Sequence, residues 1–219
     1  MMAKHIGPAP GSVGRQPRYE ALWAGSPTWI VTRILAVPGS LRQGSFTTAL
    51  LKAAALVAPI GTAVSLYDDL AQVPPFNEDL EFGSAPLAVA RFRRAIEAAD
   101  GLLIATPEYN GSVPGQLKNA LDWASRPAKR SVLESKFVAT CSASPSPRGA
   151  AGAQADLRKV LMQSGAQVVG DELIVPNAYQ QFDDRGALID LDLGSRLLDI
   201  LIALGDASVP AIRPVAIKR

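Results

Sequence analysis

The chain has 219 residues, of which 48% are hydrophobic and 19% charged; that is enough for one globular α/β domain, and with no apolar run near the ~20 residues of a membrane span a membrane role has little support. Its 22 basic and 20 acidic residues are interspersed rather than gathered into a stripe, for a net charge of +2, which argues against a nucleic-acid partner. Cys141 and His5 are the only residues of their kinds, so an intrachain disulfide is impossible, a reducing cytoplasm is the expected setting, and a histidine zinc site or a Ser-His-Asp triad lacks its central group.

Residues 1–29 are rich in Gly, Pro, Ser and Arg without a period of two or of 3.6 and are expected to form a flexible N-terminal extension, followed by one domain over 30–219. Arg15 and Arg18, with no acidic residue before Glu20, permit an organelle-targeting reading, but an over-extended start is the favoured one. Short apolar runs then alternate with longer amphipathic ones, the pattern of βαβ units. The expected strands are 34–37, 63–66, 101–105, 136–141 and 167–175. Phe46, Ala49, Leu50, Ala53 and Leu56 recur at helical spacing up to Pro59, giving the first helix. Further helices are expected over 85–99, from about Pro114 with Leu117, Ala120, Leu121 and Ala124 as its stripe, over 150–164 with Gly165 as its stop, and around Leu197, Ile200, Leu201 and Leu204. Residues 74–76 read as irregular and 183–186 as a turn. The expected architecture is a flavodoxin-like, doubly wound, five-stranded parallel sheet with helices on both faces.

Ligands of such sheets bind at the carboxyl ends of the strands. After the first strand comes Pro38-Gly39-Ser40-Leu41-Arg42-Gln43-Gly44-Ser45-Phe46-Thr47, which combines glycines, hydroxyls and an arginine at the approach to a helix. These residues suit an anion held by converging amides, hydroxyls and a fixed charge. An equally weighted alternative has Ser45 capping the helix and Gly44 making the turn. Two glycines cannot supply a G-x-G-x-x-G fingerprint, and no lysine follows Gly44 as a Walker loop requires, so the anion best matched is a terminal monophosphate. After the third strand, Thr106-Pro107-Glu108-Tyr109-Asn110-Gly111-Ser112-Val113-Pro114-Gly115 is a constrained loop. There Tyr109 offers an aromatic surface and Asn110 polar groups suited to the edge of a flat heterocycle. Glu108 paired with an arginine and Tyr109 as an ordinary packed aromatic is the bland alternative.

The run Gly39-Ser40-Leu41-Arg42-Gln43-Gly44-Ser45-Phe46, together with Pro107-Glu108-Tyr109-Asn110-Gly111-Ser112-Val113-Pro114-Gly115-Gln116-Leu117-Lys118-Asn119-Ala120-Leu121-Asp122-Trp123, closely resembles the NADPH-dependent FMN reductase family, over about residues 34–204. The resemblance implies non-covalent FMN, with NADPH or NADH as co-substrate. Reduction of a small electron acceptor such as a quinone, chromate, an azo compound or free flavin would follow. It further implies that Ser40, Arg42 and Ser45, with Phe46 and Thr47 beside them, hold the phosphate end. Relatives often carry Asn at the position of Thr47, whose hydroxyl has a shorter reach. Pro107, Glu108, Tyr109 and Asn110 would line the ring, and Ser142 and Ser144, in a proline-stiffened third loop, would meet its edge. Arg148 in that loop reads either as attracting a nicotinamide phosphate or as facing solvent, and solvent is the favoured expectation. Because the flavin carries the chemistry, no protein group is named as catalytic. Asp122 and Trp123 are candidates for a subunit contact in a homodimer or homotetramer. Cys141 is expected to be a buried small apolar residue. The alternatives are a non-enzymatic FMN-binding electron carrier or redox sensor, and a flavin-free protein that keeps the fold.

Overall fold

A computed structural model describes residues 31–81, 85–128 and 130–208. The expected extension over 1–29 lies outside the described residues. Strands β1 (Thr32–Pro38), β2 (Thr62–Leu66), β3 (Gly101–Thr106), β4 (Phe137–Ala143), β5 (Gln167–Val168) and β6 (Leu173–Val175) alternate with helices α1 (Phe46–Val57), α2 (Leu87–Ala98), α3 (Gly115–Ala124), α4 (Ala151–Gln163) and α5 (Leu191–Ser208). All pairings are parallel, in the order β2-β1-β3-β4-β5, with β6 also on β4.

The strands are nearly continuous apolar runs because both faces of the sheet are covered. Their period of two divides the side chains between two cores. Leu35, Val37, Leu102, Ile104 and Val138 meet α2, α3 and α4, whereas Ile34, Ala36, Leu103, Ala105, Ala139 and Cys141 meet α1 and α5. No helix among the described residues is long and apolar enough to cross a membrane.

Several boundaries differ from the sequence expectation for identifiable reasons. The expected last strand is interrupted: Val169 still donates to the Val138 carbonyl, but Gly170 turns into the left-handed region (φ +73°), and the chain rejoins β4 only where Leu173 meets Cys141. Pro114 sits at the cap of α3 rather than inside it, its ψ of 138° being extended. Gly165, at φ +86°, ends α4 as expected.

Trp123 is also placed differently. It is fully buried, so it is not available for a subunit contact, and Asp122 pairs with Lys118 at 2.6 Å along the same helix. The polar side chains of α3 instead bind the connection between β2 and α2. Gln116 Nε2 donates to the carbonyls of Leu70 and Val73, and Asn119 Nδ2 and Trp123 Nε1 both donate to that of Pro74. Asn119 Oδ1 accepts the Phe76 amide at 2.6 Å, and the Phe76 ring packs edge-on against Trp123. A proline-rich segment with no ladder of its own thereby has its backbone groups satisfied.

Candidate functional site

The sheet order reverses between β1 and β3, so the loops after these strands diverge and leave a crevice at their carboxyl ends. The β1 loop is pinned by Gly39, whose amide donates to the Ala105 carbonyl at 2.7 Å. A Cβ at this position would stand 2.7 Å from Leu117 Cδ2 and 2.9 Å from that same carbonyl oxygen, so the approach requires glycine. Ser40 is buried. Its Oγ lies 3.2 Å from the Tyr109 hydroxyl and accepts the Arg42 amide at 3.3 Å, which ties the first loop to the second.

Ser45 is the N-cap residue of α1, yet its side chain makes no capping bond, and no acidic residue occupies the first turn. Of the two readings of this loop, simple capping by Ser45 is therefore the one the geometry does not bear out. The hydroxyl instead pairs with Thr47 Oγ1 at 2.7 Å, and both residues are buried. Two hydroxyls that share one hydrogen bond retain one proton to donate elsewhere. Arg42 is exposed, makes no ion pair among the described residues, and lies with Cζ 5.8 Å from the Phe46 ring centroid. Uncapped amides, spare hydroxyl donors and a free guanidinium are the donor set a phosphate monoester requires.

The second loop is a tight hairpin. Tyr109 and Ser112 exchange backbone hydrogen bonds at 3.1 and 3.2 Å, and Asn110 (φ 52°) and Gly111 (φ 79°) between them are both left-handed, as an Asn-Gly turn allows. Two side chains bolt this hairpin to α4. Glu108 Oε2 accepts the Ala153 amide at 3.0 Å, and Ser112 Oγ donates to Asp156 Oδ2 at 2.6 Å. Since Ala150, at the N-cap of α4, has no side chain able to cap, Glu108 performs that task from another loop. In the third loop, Ser142 is fully buried and donates to the Gly149 carbonyl at 2.7 Å, while the Ser144 amide donates to the Val175 carbonyl.

A cavity of about 370 Å³ joins the three loops. Ser40, Arg42, Ser45, Phe46, Thr47, Pro107, Glu108, Tyr109 and Ser144 line it. Asn110 does not, because its place is taken by turn chemistry, and neither does Ser142, whose hydroxyl points the opposite way along β4. Ala143 and Pro145 line it without having been expected to. Alternation along β4 could have shown this, since Ala143 follows Ala139 and Cys141 onto one face and leaves Ser142 on the other. Arg148 is exposed, as expected. Cys141, on β4, is buried in the core beneath α1 and α5, and burial pushes its thiol up to about 12.

Strand order and hydroxyl-lined loops at the switch point together define a flavodoxin-like protein with an open crevice at the carboxyl ends of β1 and β3. The NADPH-dependent FMN reductase family matches residues 32–180, and the chain belongs to that family. It is similar to an NAD(P)H-dependent FMN reductase of Pseudomonas aeruginosa, with 42% identity over 159 residues, 72% of this chain and 85% of the relative. It is similar also to an NAD(P)H:quinone oxidoreductase of Solanum tuberosum, 38% identical over 80% of this chain and 91% of the relative. Among solved structures, the flavoenzyme NAD(P)H:(acceptor) oxidoreductase FerB of Paracoccus denitrificans superposes with a TM-score of 0.74 at 32% identity, covering 81% of this chain and 97% of that one. The protein is accordingly a flavoprotein oxidoreductase, an enzyme of the FMN reductase and quinone reductase class.

Proposed function

We propose that the enzyme holds FMN non-covalently in the three-loop cavity and uses it to pass reducing equivalents from NAD(P)H to a small acceptor such as a quinone, chromate, an azo compound or free flavin. The observation that carries this reading is the uncapped start of α1, with Ser40, Ser45, Thr47 and Arg42 gathered on the same cavity as the hairpin over 107–112. Ser45, Thr47 and the first-turn amides of α1 would take the phosphate, with Arg42 supplying charge from the rim. Residues 107–109 and 143–145 would flank the ring, mostly through backbone because Glu108 is committed to α4. Tyr109, half exposed, leaves this end of the cavity open for a second substrate. When bound, FMN supplies the hydride chemistry, and the protein contributes position and polarity without a general acid or base. The names of the Pseudomonas and Solanum relatives support NAD(P)H as donor and a quinone or flavin as acceptor.

Anaerobic addition of NADPH or NADH to the purified yellow protein should bleach the flavin, and an acceptor panel should restore its colour. Arg42→Ala should weaken FMN binding about tenfold, the scale of one charge-assisted hydrogen bond. Retention of FMN as tight as in the wild type would remove Arg42 from the phosphate site. A homodimer or homotetramer is the proposed assembly, with a contact that does not use Trp123, and light scattering measures it directly.

A further inference from the structure

A hydride brings two electrons and one proton, so a neutral flavin ring that accepts one gains a negative charge while NAD(P)H leaves as NAD(P)⁺. How tightly a protein holds the reduced ring relative to the oxidised one depends on the donors and charges around it. The main chain of residues 107–109, 144 and 145 offers few donors. Pro107 and Pro145 have no N–H, the Tyr109 amide donates to the Ser112 carbonyl at 3.1 Å, and the Ser144 amide donates to that of Val175 at 3.1 Å. Of these five residues, Glu108 alone keeps an amide without a partner among the described residues. The Ser144 hydroxyl is committed as well: it donates to Ser146 Oγ at 3.2 Å and accepts the Ser146 amide at 3.1 Å. Pro147 withholds a further amide from the same loop.

The charges at this end of the cavity are of one sign. Glu108 lines it, and only its Oε2 has a partner, the Ala153 amide at 3.0 Å. Asp156 stands behind it on α4 and accepts the Ser112 hydroxyl at 2.6 Å. Neither carboxylate makes an ion pair among the described residues. The cation that lines the cavity is Arg42, on the first loop against Phe46, at the end assigned to the phosphate. Arg148, on the third loop, is exposed and lines no part of it. In a crevice partly withdrawn from water, a carboxylate in the wall raises the free energy of a ring that gains negative charge, and no cation there offsets it.

We propose that the ring end of the cavity holds oxidised FMN more tightly than reduced FMN, through the Glu108 carboxylate and a third loop whose amide donors are lost to proline or already bonded, and that the bound flavin is thereby a stronger reductant than free FMN. The proposal rests on the reading that FMN occupies the three-loop cavity with its ring against residues 107–109 and 143–145. Affinity and potential are two sides of one cycle: a ring bound about tenfold more weakly when reduced has a two-electron potential about 30 mV below that of free FMN. Glu108 then has two separable effects, since its acceptor oxygen serves α4 and its charge acts on the ring. Acceptors of lower potential come within reach of the enzyme as a result.

Anaerobic equilibration of the holoenzyme with a reference dye, beside free FMN, reads the potential directly. The wild type should lie about 30 mV or more below free FMN, equivalent to about tenfold or more weaker binding of the reduced form. A potential equal to or above that of free FMN overturns the proposal while leaving FMN binding intact. Glu108→Gln keeps an acceptor for the Ala153 amide and removes the charge, so it should narrow the ratio of the two affinities by about threefold or more, with the affinity for oxidised FMN little changed. Ser112→Ala removes the other bolt between hairpin and α4 without altering charge, and should leave the ratio where it was. An unmoved potential in Glu108→Gln, or an equal shift in Ser112→Ala, overturns the assignment to the Glu108 charge. Melting temperature and the bound-flavin spectrum check the folding of each variant. Wild-type protein that takes up no FMN refutes the flavin reading itself, and the proposal with it.

Discussion

Glu108 separates a structural role from a ligand role in one measurement. Its Oε2 accepts the Ala153 amide at 3.0 Å, at the start of a helix whose own N-cap residue, Ala150, is left-handed and has no side-chain bond. Glu108→Ala would leave that amide without its acceptor and the N-terminal end of α4 without its negative charge. Hydrogen bonds to charged groups contribute about 1.5–3 kcal/mol, and partial exposure of Glu108 puts the loss near the lower figure. In a domain of this size about 1.5 kcal/mol lowers the melting temperature by roughly 3–6 °C. Glu108→Gln keeps an acceptor without the charge and should recover about half of that. The assay is thermal melting of FMN-stripped and FMN-loaded protein side by side. A capping role requires both forms to lose stability. If the stripped protein melts at the wild-type temperature and only the loaded form loses stability, Glu108 is a flavin ligand and the capping account is wrong.

Gly39→Ala places a methyl 2.9 Å from the Ala105 carbonyl oxygen, which β3 holds fixed, so it should cost about 1–3 kcal/mol in denaturant unfolding and also loosen FMN; wild-type values of both would refute the close approach. Burial raises the Asp100 carboxyl, but the side-chain and backbone bonds from Arg33, with the charges of Arg33 and Lys136, outweigh it and hold the group below the usual carboxylate range. A depressed carboxyl stabilises the fold above its unfolded pKa, about 3.9, and that contribution is lost as pH falls through the folded value. Stability should therefore decline on acidification below about pH 4, and Asp100→Asn should flatten that limb; an identical acid profile for the variant would count against the pair. The Cys141 thiol, pushed up to about 12 by burial, should resist thiol reagents at pH 8 in the folded protein and react fully in guanidinium, whereas rapid reaction of the native protein would contradict its burial.

Sheet and helices were legible because buried parallel strands and amphipathic crossovers leave different periods in the chain. The break between β5 and β6 was not, since an apolar run containing Gly170 reads alike whether the glycine is extended or left-handed. At Asn110 the local signal for the turn was present: Asn-Gly between residues able to pair is a hairpin signature. Trp123 was misplaced for a reason no local pattern shows. The flank of α3 that carries it is covered by residues 70–76, a segment more than forty positions away.

That covering segment changes what the second motif means. Gln116, Asn119 and Trp123 of the family signature all serve backbone groups of the β2–α2 connection, and Glu108 and Ser112 serve α4. Much of the run that most clearly marks the family therefore fixes the position of a backbone hairpin rather than supplying side chains to a ligand. The ring end of the crevice is shaped chiefly by main chain, and the side chains with uncommitted donors lie on α1 and the loop before it. Substitutions in α3 should then alter flavin affinity only as far as they move the hairpin, and in step with stability. Substitution of Arg42 should alter affinity with little change in the melting temperature of the FMN-stripped protein, whereas Thr47→Val, which also removes the buried bond to Ser45, should lower both.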